Sequence, residues 1–281
     1  MKRILAATDL SERSERALRQ AIHLASAQNA ALHVLYVVDE DIPRRIANDI
    51  ISGATENLKE QIAQVPDGKS VNASIHVEFK TIWKGIVETA EELGADLLVL
   101  GSHRSRGIME LFRGTTVERV AKMTKTPLLV VNNSAPGRYH DVIVGVDFSD
   151  CARNAINVGA SLSPKAKMTL INVYHIPFKE FTKRADPDGS IEKRDRLRTE
   201  RELAKDMKAF EERLENKGLK LKRAFVEGGP VPVLLEEARR RESDLICVGS
   251  HGRSWLADAF LGSTAQGLLS VAPCDVLVVP L

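Results

Sequence analysis

The chain has 281 residues, 43% of them hydrophobic, which is enough to bury the cores of two ordinary domains. Its 40 basic and 38 acidic side chains give a formal net charge of +2, so no global field would draw it to nucleic acid or an anionic membrane. No apolar run is long enough to span a bilayer or to act as a secretion signal. Cys151, Cys247 and Cys274 lack a paired spacing, which predicts a reducing compartment, the cytoplasm.

Strand and helix patterns alternate along the first half of the chain. Runs rich in Val, Ile and Leu predict buried strands at 3–8, 31–38, 71–79, 96–100 and 127–131. Amphipathic or polar-faced segments predict helices at 11–27, 41–63, 84–93 and 115–122, with Ser11 as the capping residue of the first. This order indicates an α/β fold, in which a five-stranded parallel sheet is covered by helices on both faces.

The second half of the chain repeats the first. Order and spacing are kept in three pairs of segments: 3–11 with 141–149, 95–103 with 243–251, and Gly114-Thr115 with Gly262-Ser263. We therefore predict a first domain at 1–132 and a second at 141–281. The residues between them, 133–140, are polar and broken by Pro136 and Gly137, as expected of a linker.

Two further features of the sequence concern an insertion in the second half and the last strand of each half. An insertion over 176–201 carries Pro177, Pro187 and Gly189 and then becomes charge-rich, which favours a solvated loop and helix over a mobile lid. Each half also closes on an apolar Leu-Val-Val strand that would leave an exposed sheet edge. Pairing between these final strands would cover both edges.

A loop from Gly249 to Thr264 links the fourth strand of the second half to its last helix. Glycines at 249, 252 and 262 are expected to turn with positive φ and to approach a ligand closely. Ser263 and Thr264 fall where a helix offers its first unpaired N–H groups, a ready anion site. Glycine and serine alone would favour a plain turn, so the prediction of a binding site depends on their spacing.

That spacing, Gly249-x2-Gly252-x9-Gly262-Ser263, resembles the nucleotide-binding motif Gly-x2-Gly-x9-Gly-Ser/Thr of the ATP-binding branch of the universal stress protein family. Both halves are similar to that family over essentially their whole length, including the first-strand Asp before a Ser-initiated helix and the closing Leu-Val-Val. The resemblance implies two tandem doubly wound domains of the adenine nucleotide α-hydrolase-like type. It also implies an intrachain pseudo-dimer through the final strands, and a homodimer of whole chains.

The resemblance further implies an adenine nucleotide site in the second domain, for ATP, ADP or AMP. The residues that would hold ribose and phosphates are Gly249, Gly252, Arg253, Gly262, Ser263 and Thr264. Asp147 would lie near a phosphate-bound Mg²⁺, although an N-cap or a turn is its alternative role. Val173 would lie at the adenine, with a plain core position as the alternative.

The first domain departs from the motif at one position, where Arg104 replaces the second glycine. Its side chain would stand where the backbone must approach phosphate, which favours impaired or altered binding. Alternatively, the guanidinium could pair with phosphate directly. A weaker site is therefore predicted at Asp9, Val37, Gly101, Arg104, Gly114, Thr115 and Thr116.

These observations favour a cytoplasmic stress-response protein in which ATP, as a ligand, sets conformation or the binding of an unidentified protein partner. No residue constellation in the sequence requires turnover. A nucleotide-independent scaffold with a vestigial site is one alternative, against which the intact motif speaks. A weak ATPase or an adenylyl-transfer enzyme is another, but its expected Ser-Gly-Gly-x-Asp-Ser loop is replaced by Thr8-Asp9-Leu10-Ser11 and Val146-Asp147-Phe148-Ser149.

Overall fold

The structure, a computed structural model, describes residues 1–102, 115–133, 137–176, 190–215, 219–252 and 261–281. The strands are β1 (Arg3–Thr8), β2 (Ala31–Val38), β3 (Ala73–Phe79), β4 (Leu97–Gly101), β5 (Leu128–Val131), β6 (Asp141–Gly145), β7 (Lys167–Tyr174), β8 (Leu221–Glu227), β9 (Leu245–Gly249) and β10 (Asp275–Val279). The helices are α1 (Glu12–Gln28), α2 (Arg44–Gln64), α3 (Ile82–Glu92), α4 (Thr116–Met123), α5 (Asp150–Leu162), α6 (Ser190–Glu212), α7 (Pro230–Arg241) and α8 (Ser263–Val271). Within these ranges no helix is long and apolar enough to cross a membrane.

The strands form one sheet in the order β3-β2-β1-β4-β5-β10-β9-β6-β7-β8. Neighbouring strands are parallel within each half, and the halves meet at an antiparallel pair in which Leu129 of β5 lies opposite Leu277 of β10. The predicted α/β fold with five parallel strands per half is confirmed. In each half the strand order reverses beside the first strand, where open α/β sheets bind ligands.

Helices cover both faces of the sheet and enclose two apolar layers. One layer joins α1, α2, α5 and α6 to the sheet, with fully buried side chains such as Leu18, Ile156 and Met207. The other joins α3, α4, α7 and α8, with Val120 and Leu268 at its centre. The four middle strands, β4, β5, β10 and β9, are buried on both faces, which explains their continuous Val, Leu and Ile.

Several element boundaries differ from the prediction for local reasons. The second helix begins at Arg44 because Pro43 is its N-cap residue, and the third strand begins at Ala73 because a 3₁₀ helix spans Pro66–Ser70. The charge-rich insertion continues as α6, whose last turns bury Met207 and Phe210. These two residues lie beyond the insertion predicted at 176–201, whose described side chains, from Lys193 to Arg201, are exposed or half-buried as expected of a solvated helix.

The segment between the halves is bound tightly to the second half by Asp275, the first residue of β10. This carboxylate is 1% exposed. Its Oδ1 accepts the backbone N–H groups of Asn132 and Asn133, each at 2.8 Å, and its Oδ2 accepts the Tyr139 hydroxyl at 2.7 Å. A buried charge is tolerated only when such donors surround it, so Asp275 requires this path of the chain.

Two further contacts extend this anchor. The Asp244 carboxylate accepts the N–H groups of His140 and Asp141 at 2.6 and 3.0 Å. The side-chain amide of Gln20, on α1 of the first half, exchanges two hydrogen bonds with the backbone of Gly137. The described linker residues are thus held by both halves of the molecule.

We expect Tyr139→Phe to lower the free energy of unfolding by roughly 1–3 kcal/mol, because it leaves a buried carboxylate short of one donor. Tyr174→Phe is the matched control. Its hydroxyl bonds the partly exposed Glu200 at 2.9 Å, so its loss is expected to stay below about 1 kcal/mol. Urea unfolding of both variants and the parent measures the difference.

The loss in Tyr139→Phe is expected to depend on pH. Burial raises the pKa of Asp275, outweighing the hydrogen bonds from Asn133, Tyr139 and Asn132. A carboxyl with a raised folded-state pKa takes up protons on folding, so its stabilising contribution is present at low pH and is lost as pH rises through that pKa. Removing the hydroxyl raises the pKa further. The difference in free energy of unfolding between the variant and the parent should therefore become smaller as pH falls and Asp275 is protonated. A difference that does not change with pH would mean that the variant loses packing and not the hydrogen bond.

Candidate functional site

The candidate site of the second half lies where β6 and β9 end side by side. The loop after β9 contacts the turn after β6: a β-carbon added to Gly252 would lie 2.9 Å from Oδ2 of Asp147. The structure thus brings Asp147 and the glycine-rich loop together at the reversal of strand order. Asn172, at the end of β7, reinforces this corner by donating to the carbonyl of Val146 at 2.8 Å.

Asp147 organises the turn that follows β6. Its Oδ1 accepts the N–H of Ser149 at 3.0 Å and the Ser149 hydroxyl at 2.6 Å. Ser149 is itself the N-cap of α5, accepting the N–H of Ala152 at 3.1 Å. Asp147 therefore has the turn role that was one of its alternatives, and the cap belongs to Ser149. Its Oδ2, which faces Gly252, remains available for a second role.

The same turn recurs in the first half at Asp9, whose Oδ1 accepts the N–H of the N-cap residue Ser11 at 3.0 Å. Burial alone would raise the pKa of Asp9, but hydrogen bonds from Ser11 and Ser14 outweigh burial and lower that pKa. Asp9 is consequently an ionised carboxylate over the whole physiological range.

Two residues in left-handed backbone conformation follow these aspartates. Leu10 has φ of 62° and Phe148 has φ of 66°, and neither is glycine. Such a conformation costs roughly 1–3 kcal/mol and persists only where its surroundings enforce it. In the second half, the Phe148 ring meets the edge of Phe210 with centroids 5.7 Å apart. No pattern in the sequence pointed to Phe210, which lies on α6 and packs against the turn that carries Asp147.

The positive φ expected of the three loop glycines is wrong. None of Gly249, Gly252 and Gly262 has a positive φ; that of Gly262 is −60°. A β-carbon on Gly249 would lie 2.6 Å from Cβ of Cys151, so this glycine lets β9 pack against α5. Gly101 has the same role in the first half, because its β-carbon would meet the backbone of Arg13 at 2.8 Å. Close approach, not a left-handed turn, is what requires glycine here.

The loop returns to the sheet at Gly262. Its N–H donates to the carbonyl of Ser250 at 2.7 Å, and a β-carbon there would lie 3.0 Å from the same oxygen. Helix α8 then begins at Ser263 with Gly262 as its N-cap and no side-chain capping bond. Ser263 is exposed and Thr264 half-buried, so the first turn of α8 is accessible.

The corresponding helix of the first half is closed by its own side chains. Thr115 is the N-cap of α4, one residue before the helix, whereas the sequence predicted it as the first helical residue. The Thr115 hydroxyl accepts the N–H of Glu118 at 3.2 Å, and the Glu118 carboxylate accepts the N–H of Thr115 at 3.4 Å. This reciprocal capping box occupies donors that, within the described residues, no side chain caps at the start of α8.

Cavities accompany both loops. One of about 800 Å³ lies in the first half and is lined by four predicted site residues, Asp9, Val37, Gly101 and Thr116. Another of about 720 Å³ lies between the halves, beside Gly252, Phe148 and the end of α4. Val173 packs half-buried against the α7 and α8 layer, the core position that was its alternative.

Three predicted site residues, Arg104, Gly114 and Arg253, lie outside the described residues. Among the described ones, no group of three or more His, Cys, Asp or Glu is arranged to hold a metal ion.

Comparison with known proteins gives a consistent result. The family model described as "Universal stress protein family" matches residues 1–132 and 138–280. Universal stress protein MJ0577 of Methanocaldococcus jannaschii is 30% identical over 152 residues, covering 46% of this chain and 94% of the relative. Universal stress protein Rv2005c of Mycobacterium tuberculosis is 23% identical over 273 residues, covering 90% and 88%. A universal stress protein structure from Archaeoglobus fulgidus covers 99% of this chain and 98% of its own at 20% identity, with a TM-score of 0.70, a likeness of fold.

The different roles of two glycines can be tested by the same substitution. Gly249→Ala is expected to lower the free energy of unfolding by roughly 1–3 kcal/mol, since its methyl group meets Cys151 and the backbone of α5. Gly252→Ala meets only the end of a flexible carboxylate and should change stability by less than about 0.5 kcal/mol. Equal losses in urea unfolding would contradict this division of roles.

Proposed function

This chain belongs to the universal stress protein family, and on that premise we propose that its second domain binds an adenine nucleotide, ATP, ADP or AMP, as a regulatory ligand. One observation carries the proposal. The N-terminus of α8 has no side-chain cap, and the loop before it lies against Asp147 through Gly252.

The phosphates are assigned to the first turn of α8. A helix N-terminus carries roughly half an elementary positive charge and presents N–H groups without intrahelical partners. The accessible hydroxyls of Ser263 and Thr264 add donors beside them. Because Gly252 and Gly262 have no side chains, the backbone of the loop can approach the same oxygens.

Asp147 is the reason for proposing that a metal ion binds with the nucleotide. Its carboxylate is exposed at the edge of the loop, and one oxygen faces Gly252. A carboxylate so close to phosphate would repel it unless a cation lay between them, and carboxylate oxygen is the ligand that Mg²⁺ prefers. We therefore propose that the nucleotide binds as its Mg²⁺ complex, with Asp147 beside the ion.

The contacts of the turn that carries Asp147 could couple nucleotide binding to the binding of a protein partner. Phe148 packs on Phe210 of α6, and Asp150 pairs with Arg213 just beyond α6 at 2.7 Å. A nucleotide that shifts this turn would shift α6. The earlier turns of that helix carry exposed charges such as Arg198 and Glu202 and form the surface proposed for the partner.

We propose domains at 1–132 and 141–281, joined by the linker 133–140, and a homodimer of whole chains in the cytoplasm. All three cysteines are buried free thiols, in keeping with a reducing compartment. Because β5 and β10 already cover each other, a dimer of whole chains has to use a different surface from these strands.

We expect saturating ATP with Mg²⁺ to raise the thermal stability of the protein. A ligand that binds only the folded state adds about 2.7 kcal/mol at a hundredfold excess over its Kd. Differential scanning fluorimetry with and without Mg²⁺ measures this shift and its metal dependence. An unchanged melting curve would favour a scaffold without nucleotide.

Gly252→Arg tests the location of the site. We expect it to weaken nucleotide binding at least tenfold, or about 1.4 kcal/mol, because a long side chain would enter the space between loop and phosphate. Gly53→Arg is the matched control, since a β-carbon on that helical glycine meets nothing within 4 Å. Calorimetric titration gives affinity and stoichiometry together, and an unaltered affinity in Gly252→Arg would place the site elsewhere.

A further inference from the structure

We propose that the cavity of the first domain binds an uncharged nucleoside-like molecule and discriminates against phosphorylated forms. The choice of a nucleoside rests on the function proposed for the second domain, whose fold the first repeats. The discrimination rests on residues of the first domain alone. The cavity lies where β1 and β4 end, with a volume of about 800 Å³, within the usual range of small-molecule sites.

The lining of this cavity divides into an apolar and a polar side. Val37, Ile82, Ile86 and Leu100 supply apolar surface that suits a flat ring. Hydroxyl and carboxylate groups at the end of β1 and the start of α1 suit sugar hydroxyls; they belong to Thr8, Asp9, Ser11 and Ser14. Two of these, Thr8 and Ser14, are buried and bonded to each other at 2.9 Å, so the polar side is rigid.

Four of the described lining residues are charged: Asp9 and Glu12 are acidic, and Arg13 and Arg16 are basic. These charges balance one another, so this part of the lining supplies no net positive charge for a phosphorylated ligand. The start of α4 is where the family motif places phosphate.

That helix start is already occupied by Glu118. Its carboxylate accepts the N–H of Thr115, and its own N–H is taken by the Thr115 hydroxyl. A phosphate would have to displace this anion or lie beside it, and like charges about 4 Å apart repel strongly in such a site. In the second domain, Gln266 stands in the equivalent repeat position; it is exposed and uncharged.

The test uses the intact chain, with isoleucine δ1-methyl NMR signals as local reporters. Ile82 and Ile86 line the first-domain cavity, so their shifts follow its occupancy independently of the second domain. Adenosine is expected to shift both signals, and AMP to require about tenfold or more higher concentration. In Glu118→Gln this gap should close, because glutamine can still cap Thr115 but carries no charge.

Two further variants make the assignment specific. Gln266→Glu places the same carboxylate in the second domain and should leave the responses of Ile82 and Ile86 unchanged. Arg104→Gly should also leave the preference for adenosine in place. If Arg104→Gly alone brought AMP binding to adenosine strength, the loop arginine and not Glu118 would exclude phosphate.

Other outcomes overturn the proposal directly. If adenosine failed to shift Ile82 and Ile86 at millimolar concentration, the cavity would not be a nucleoside site, while the proposed nucleotide site of the second domain would stand. If AMP bound the parent cavity as tightly as adenosine did, the discrimination would be wrong. If Glu118→Gln left the difference between adenosine and AMP unchanged, the Glu118 carboxylate would not be the cause of the discrimination.

Discussion

The molecule depends on the antiparallel pairing of β5 with β10. Each is the last strand of a five-stranded parallel half, and alone each would present a row of unpaired backbone groups flanked by apolar side chains. Their pairing joins the halves into one sheet and buries both strands completely. Asp275 completes the junction, because its buried carboxylate requires donors from the linker. Two site regions are thereby held at fixed positions in a single body.

Within this near-symmetric body, small local differences decide what each half can bind. In the turns after β1 and β6, the aspartate Oδ1 accepts the N–H of the N-cap serine, and a left-handed residue, Leu10 or Phe148, follows the aspartate. The helix starts differ: α4 caps itself, and α8 does not. We propose that Glu118 of α4, which corresponds to Gln266 of α8, gives the two sites their different preference for phosphate. Nucleotide in one domain and an uncharged ligand in the other would give the protein two distinct inputs.

Much of the fold could be predicted from the sequence because the two halves repeat the same pattern of apolar strands and amphipathic helices. The duplication, the apolar strands and the alternation with helices are signals that a chain carries locally. The resemblance to the family also implied that Asp147 lies near the phosphates assigned to the glycine loop. The purpose of Gly249 could not be predicted, since close packing on Cys151 is a tertiary contact and not a property of the loop. Phe210 was equally hidden, because nothing along the chain connects it to Phe148. The Thr-x-x-Glu pattern from Thr115 to Glu118 is a sequence signature of a capping box. The prediction of a weaker first-domain site was based on Arg104 instead, because that residue interrupts the glycine spacing.

The pairing of β5 with β10 also governs how the chain is made. Synthesis runs at about 5–20 residues per second, so β5 emerges on the order of ten seconds before its partner. During that interval the first half has all five of its strands, and the apolar β5 edge is unpaired. A neighbouring chain that has already released its second half offers the same β10 surface. Exchange of halves between nascent chains is therefore the misassembly expected of this architecture, and the hydrogen bonds of the linker to Asp275 favour the partner within the same chain.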